Sequence, residues 1–310
     1  MLSPWLFVPP LVFVLVCGAF GALIWLATAR AVHPVFPDDL GALNGYKFAK
    51  ATQTVHFRSL DGVPLVGWFV PSGRPRSATV ILLEGYGQGR AAMLPQAAYL
   101  HHAGYNTLLF DYRGSGQSGG SAFTFGIKEP LDVRGAVNYL LTRTDVDPDR
   151  IAVQGVSIGA VIGILAMAQD PHIHAVVAES AFPSLTDMIQ ADFSRYTRLP
   201  LHPFGVMAIW VMEHRLGGNV NGVSPIVAVG KMQQRPLFII DDLQDKLLPA
   251  DSGEQLYAAA TGPKELWLVK DTAHASGFFA WPQAYADRVL QFYATYLPLD
   301  ATQPAEHAAA

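Results

Sequence analysis

The sequence predicts an α/β fold: a mostly parallel eight-stranded sheet with helices on both faces, set behind an apolar N-terminal helix. Three observations carry this prediction. From residue 78 onward, short and continuously apolar runs alternate with longer helix-like segments, as expected of strands buried on both faces. Ahead of them, "TQTVHFR" and "VPLVGWFV" flank "SLDG", and Asp-Gly between two strand-like runs is a hairpin signal. At the start, residues 5–29, "WLFVPPLVFVLVCGAFGALIWLATA", carry no charge.

That uncharged run is longer than the ~20 residues a helix needs to cross a bilayer core. Arg30 closes it, and the part free of proline runs from Leu11 to Ala29. Buried core helices seldom extend so far without a polar face. A cleaved signal peptide is the rival reading, because Ala27-Thr28-Ala29 imitates a small-x-small cleavage site. However, no Lys or Arg precedes the run, and it is long for a signal sequence. A lipoprotein site at Cys17 is disfavoured by the bulky Val16 before it. The expectation is a retained single-pass anchor over residues 1–30. Arg30, Lys47 and Lys50 follow the span and nothing basic precedes it, so the positive-inside rule leans towards a cytoplasmic C-terminal domain. The side of the membrane otherwise stays open.

Residues 31–50, with Pro34, Pro37, Gly41 and Gly45, read as a linker. After the hairpin come "ATVILL" (78–83) as a strand and 89–103 as a helix. "NTLLF" (106–110) is a strand and Glu129 to Arg143 a helix, then "RIAVQ" (150–154) a strand and 158–169 a helix. "HAVVAE" (174–179) is followed by about fifty residues that break the rhythm. "PLFII" (236–240), helix 251–260, "KELWLVK" (264–270) and helix 282–297 complete the pattern. The domain is thus bounded at 51–298, with an insert over about 181–231 and a flexible tail at 299–310.

The chain has 310 residues, 15% of them charged, with a formal net charge of −4 and no long Lys/Arg run. This argues against a nucleic-acid-binding surface. Cys17 is the only cysteine, which excludes an internal disulfide and any multi-cysteine metal site.

In parallel sheets, ligands sit beyond the carboxyl ends of the strands, and four such ends stand out. After 150–154 comes Gly155-Val156-Ser157-Ile158-Gly159. A nucleophile on a tight strand-to-helix turn is strained, and its flanking positions must carry almost no side chain. The helix that follows turns its N-terminal amides towards Ser157, favouring developing negative charge. After 236–240 comes "DDLQDKLLPA", which offers Asp245. Asp241, Asp242 and Asp245 also match a DDxxD magnesium cluster, but that motif needs a helix and this stretch runs into Pro249. After 264–270 comes "DTAHASGF", which places His274 in a loop of small and polar residues. The other nine histidines are read by default as exposed and structural. After 78–83 comes "EGYGQGR", a Gly-rich turn whose free amides can face an oxyanion, with Tyr86 and Ile158 as candidate donors.

Ser157, Asp245 and His274 follow in that chain order, each after a parallel strand, which resembles the α/β-hydrolase fold. The likeness runs from about Thr52 to Leu297. "FDYRGSGQSGG" (110–120), "SPIVAVGKMQQRPLFII" and "GPKELWLVKDTAH" are similar to the serine-aminopeptidase-like and depalmitoylase-like bacterial branch. Two positions depart from that branch. Glu84-Gly85 stands where it usually has His-Gly before the oxyanion loop, and Asp241-Asp242 where it has His-Gly after the seventh strand. A carboxylate at Glu84 would oppose the charge that an oxyanion hole must stabilise.

The resemblance implies acyl transfer without metal or cofactor. His274 takes the Ser157 proton, Ser157 attacks a carbonyl, and Asp245 holds the imidazole. The implied substrate is a small-molecule or lipid-like ester or thioester with an acyl chain, met at the membrane that the N-terminal helix enters. The insert "FPSLTDMIQADFSRYTRLPLHPFGVMAIWVMEHRLGG" falls where this superfamily places its cap, and its Phe, Met, Trp and Leu suit either core packing or a lid over an apolar pocket. An aminopeptidase-like amide hydrolase and a non-catalytic acyl-ligand or partner-binding relative are the alternatives. Oligomeric state is left open.

Overall fold

The computed structural model describes residues 8–34, 40–232 and 234–299. The tail expected over 299–310 lies outside this set beyond residue 299. Eight strands form one sheet: β1 Gln53–Arg58, β2 Pro64–Val70, β3 Ser77–Leu83, β4 Asn106–Phe110, β5 Val146–Val156, β6 Ile173–Glu179, β7 Leu237–Asp242 and β8 Lys264–Val269. Their order is β1-β2-β4-β3-β5-β6-β7-β8. The β1–β2 and β2–β4 pairs are antiparallel and all later pairs parallel.

The helices are α1 Val8–Ala31, α2 Leu94–Ala103, α3 Glu129–Leu141, α4 Ile158–Gln169, α5 Leu185–Tyr196, α6 Val206–Leu216, α7 Pro225–Val229, α8 Ser252–Ala259, α9 Gly277–Ala280 and α10 Pro282–Tyr296. Side chains of β3 alternate between two cores. Ile81 and Leu83 face a cluster that includes residues of α3, α4 and α7, whereas Val80 and Leu82 face one built with α2 and α10. Both faces are therefore covered, which is why the parallel strands read as unbroken apolar runs.

The boundaries differ from expectation in small, explicable ways. β5 begins at Val146, where Asp147, Pro148 and Asp149 hid a strand start, and it ends at Val156. β7 reaches Asp242 because Asp241 and Asp242 pair with Leu268 and Val269, so Asp245 follows the strand by three residues. α3 ends at Leu141, two residues early. Within 31–50, read as a linker from its prolines and glycines, Val32 and Phe48 are buried and a 3-10 turn spans Leu40–Gly45. His101 and His174, taken as exposed, are half-buried, and burial lowers the pKa of both. His101 sits edge-on to Phe48, with ring centroids 5.3 Å apart.

The strand order reverses beside β3, which has β4 on one side and β5 on the other. Chains leaving the two strands at such a switch point diverge and open a crevice at their carboxyl ends. The loop after β3 and the turn after β5 meet there. The insert between β6 and β7 contributes α5, α6 and α7 above the same end.

Candidate active site

Ser157 occupies the turn between β5 and α4 with φ 55° and ψ −123°, a strained backbone for a residue with a side chain. The glycines around it are required by contact. A Cβ on Gly155 would lie 2.4 Å from the Gly159 carbonyl, and one on Gly159 would lie 2.4 Å from Leu83 O and 2.6 Å from Glu84 O. The Ser157 amide donates to Glu179 O at 2.8 Å, so the strand ladder holds the turn from below. The first amides of α4 have no carbonyl one turn earlier to receive them. Of these, the Ala160 amide is taken by Ser157 O at 3.0 Å, which leaves those of Ile158 and Gly159 for an anion.

The three residues expected to act together are together. Ser157 Oγ lies 2.8 Å from His274 Nε2, and His274 Nδ1 lies 2.6 Å from Asp245 Oδ2. Asp245 Oδ1 accepts from the amides of Leu247 (2.7 Å) and Leu248 (3.1 Å). Burial pushes the Asp245 carboxyl up, but these bonds and His274 outweigh it and hold it below the usual range. An ionised Asp245 favours the proton on His274 Nδ1, leaving Nε2 to accept from Ser157.

The two candidate oxyanion donors, Tyr86 and Ile158, line the same cavity as Ser157. A Cβ on Gly85 would be 3.7 Å from that of Ser157, which measures how closely the β3 loop approaches. Gln88 Oε1 accepts from the Gly85 amide at 3.3 Å. Tyr86 itself stacks on Phe125 at 5.2 Å and donates its hydroxyl to Ala31 O at 2.7 Å.

Glu84, the position where a negative charge was expected, is shaped by burial. Its side chain is wholly buried and its two carboxyl oxygens have no hydrogen-bond partner among the described residues. Desolvation, then the charge of Asp111, pushes its pKa well above the carboxylate range. Both effects favour the neutral acid over a carboxylate that would oppose an oxyanion.

Asp241, Asp242 and Asp245 do not converge. Asp241 accepts from the Gly253 amide, Asp242 from Ser180, and Asp245 faces His274. Among the described residues no group of three or more His, Cys, Asp or Glu could hold a metal ion.

Sequence reasoning missed the support of the histidine loop. Ser180 Oγ accepts from the Ala275 amide (3.1 Å) and donates to Asp242 Oδ2 (2.8 Å). Glu179 accepts from the Gly277 amide (3.0 Å) and the Tyr285 hydroxyl (2.8 Å). Burial and the neighbouring Asp242 raise the Glu179 pKa to about 7. These residues end β6 and β7, and the rule that led to the other strand ends applies equally to "AES" at 178–180.

Beside Ser157 lies a cavity of about 640 Å³. Its lining is largely apolar and comes from α5 and α6 (Leu185, Met188, Ile189, Met212), from the loop after β7 (Leu247, Leu248), and from the end of α1 (Thr28, Ala31). Asp192 is the one acidic side chain among its described lining residues, and it pairs with Arg195 at 3.1 Å.

Known proteins share this architecture. The sequence profile of the X-Pro dipeptidyl-peptidase (S15) family matches residues 56–212. The chain is 30% identical to the uncharacterized protein Rv2307c of Mycobacterium tuberculosis (strain H37Rv), over 86% of this chain and 87% of that one. It is 29% identical to the uncharacterized protein YfhR of Escherichia coli K12, over 87% and 89%. Among solved structures, the Pyrococcus furiosus esterase Pf2001 superposes with a TM-score of 0.71 at 27% identity, covering 86% of this chain and 98% of that one. An acylaminoacyl peptidase of Pyrococcus horikoshii shares the fold at 18% identity and a TM-score of 0.62, over 82% of this chain and 43% of its own. The chain is therefore a member of the X-Pro dipeptidyl-peptidase (S15) family and a hydrolase of the α/β-hydrolase superfamily.

Proposed function

We propose that this hydrolase cleaves carboxylic esters or thioesters of an acyl chain through a Ser157 acyl-enzyme, held at a membrane by α1. The carrying observation is the Ser157–His274–Asp245 hydrogen-bond chain at the wall of an apolar cavity. His274 takes the Ser157 proton as Oγ attacks the carbonyl carbon. The amides of Tyr86 and Ile158 bind the oxygen that becomes negative, an arrangement where one donor is typically worth about 10²–10³ in rate. His274 then delivers the proton to the leaving oxygen or sulfur, and a water repeats the sequence to release the acid. The cavity takes the acyl chain.

The test is hydrolysis of p-nitrophenyl esters from C2 to C12 by the full-length chain in detergent, beside Ser157→Ala, together with labelling by an alkyl fluorophosphonate. Activity and labelling that vanish in Ser157→Ala support the mechanism. Equal product from both proteins overturns it. A peptidase reading is favoured by the family match and by Asp192, a carboxylate on the cavity wall that an amino terminus could approach. Its rank is second because Arg195 already occupies that carboxylate. Release of p-nitroaniline from Ala-Pro-p-nitroanilide faster than any ester is cleaved would reverse the order.

A further inference from the structure

The N-terminal helix does not stand clear of the hydrolase domain. Its second half packs along the insert. Phe20 sits edge-on to Phe193 (6.2 Å) and Phe204 (5.1 Å), and a Cβ on Gly21 would lie 4.0 Å from Met207 Sδ. The Arg215 guanidinium lies 3.8 Å over the Trp25 ring and donates to Trp25 O at 2.6 Å. From Thr28 to Ala31 the helix is a wall of the Ser157 cavity. Ahead of these contacts, over Val8–Ala19, Leu11 to Val16 are exposed and no side-chain contact with the insert is found among the described residues.

Length then sets depth. At a rise of 1.5 Å per residue the free part of α1 reaches about 18 Å, against a hydrocarbon core of about 30 Å. A crossing built from the described helix takes roughly its last 10 Å from the part of α1 that is already packed on α5 and α6. Whatever surrounds that part lies at membrane depth as well.

The surface of the insert has the composition such a position demands. Trp210 and Val206 on α6 are 62% and 51% exposed, and Tyr196, Leu199 and Leu201 beside them are exposed too. Arg198 lies exposed among these. Trp and Tyr together with Arg at the edge of an apolar patch suit the headgroup layer, while a patch destined for a protein partner lacks any reason to continue onto a bilayer-length helix. Leu23 and Leu26 of α1, 62% and 67% exposed, extend the same apolar surface. A second cavity of about 520 Å³ between α1 and α6, lined by Trp25, Leu26, Trp210 and His214, opens along this seam.

We infer that the insert is seated in the interfacial layer of a lipid bilayer, with α6 beside the membrane-crossing α1, so that the Ser157 cavity receives its acyl chain sideways from the membrane. The inference deepens the proposed function and rests on α1 being a retained membrane helix. It narrows the substrate class to amphiphiles whose acyl chain already lies in the bilayer.

Depth is measured without substrate. In a Cys17→Ser background, single cysteines at Leu15→Cys, Val206→Cys, Trp210→Cys and Thr144→Cys are spin-labelled in the full-length chain. The proteins are reconstituted in phosphatidylethanolamine/phosphatidylglycerol (7:3) vesicles, and collision with oxygen is compared with collision with a water-soluble nickel chelate. Thr144 is exposed just ahead of β5, at the end of the sheet opposite the insert. The expected result is hydrocarbon depth at 15, the headgroup boundary at 206 and 210, and water at 144. Labels at 206 and 210 as open to the chelate as the one at 144 overturn the inference. So do labels at those positions shielded from both reagents and broadened by each other, which would assign the patch to a second copy of the chain. A label at 15 in water overturns both the inference and the anchor beneath it. None of these outcomes touches fluorophosphonate labelling of Ser157, so the hydrolase reading stands or falls separately.

Discussion

Replacing Gly159 by alanine adds one methyl group where the fold has no room. The new carbon would stand 2.4 Å from Leu83 O and 2.6 Å from Glu84 O, about 1 Å inside ordinary C···O contact. Both obstacles are backbone, in the last residue of β3 and the first of its loop, so no side-chain rotation relieves them. Either α4 retreats from β3 or the loop carrying Gly85 and Tyr86 lifts. Overpacking typically costs 1–3 kcal/mol, and two backbone clashes put this case near the top, about 3 kcal/mol. For a domain this large that lowers the melting temperature by about 6–12 °C. The function should suffer more, since a displacement of about 1 Å between Ser157 and its oxyanion donors costs about 10²-fold in rate. The assay is thermal melting by circular dichroism plus the rate of fluorophosphonate labelling, both on full-length protein in detergent. Gly222→Ala is the control, because nothing lies within 4 Å of the added carbon there. A Gly159→Ala protein that melts and labels like Gly222→Ala would refute the elbow as the place where β3 and α4 are locked.

Three further outcomes are expected. Asp245→Asn leaves the fold intact but permits the wrong imidazole tautomer, and ester kcat/KM should fall by about 10³–10⁴; a loss under tenfold would remove Asp245 from the mechanism. Glu179, raised from an ordinary 4.5 to about 7, binds its proton more tightly folded than unfolded, so its contribution is complete below pH 4.5 and is lost as pH rises through 7. Melting temperatures taken from pH 5 to 8 should therefore fall less steeply in Glu179→Gln, by about 5 °C over that range, and parallel curves would reject the assignment. Met188→Trp fills the cavity beside Ser157, and octanoyl and longer p-nitrophenyl esters should lose about 10–100-fold relative to the acetyl ester; an unchanged chain-length profile would place the acyl chain elsewhere.

What could be read from the chain in advance was whatever is decided locally. Strands such as "ATVILL" are continuously apolar because both faces are covered, and α4 was legible to the residue because Gly155 and Gly159 bracket its start. Ser157, Asp245 and His274 were found from their places after strands, a rule that needs topology but no coordinates. What escaped was decided by residues distant in sequence. The pKa of Glu84 is pushed up because the β3 loop is sealed from water and because β4 brings Asp111 beside it. The bracing of the 275–277 amides by Glu179, Ser180 and Asp242 exists only once β6, β7 and the histidine loop are side by side. The packing of α1 on the insert had no signature, since an apolar helix looks the same whether lipid or protein surrounds it.

The contribution of α1 to the cavity wall turns the N-terminal segment into a determinant of what preparation is being assayed. Thr28 and Ala31 line the space beside Ser157, and Ala31 O receives the Tyr86 hydroxyl at 2.7 Å. A proteolytic cut after Ala29 would take away Thr28 and free the start of the remaining chain next to the oxyanion loop. The soluble fragment would keep Ser157, His274 and Asp245 but present them in a wider and wetter cleft. Tolerance for short, water-soluble esters would rise and preference among long chains would blur. Trimming the protein for solubility would thus alter its selectivity, and a protease acting at the same bond in the cell would set that change irreversibly.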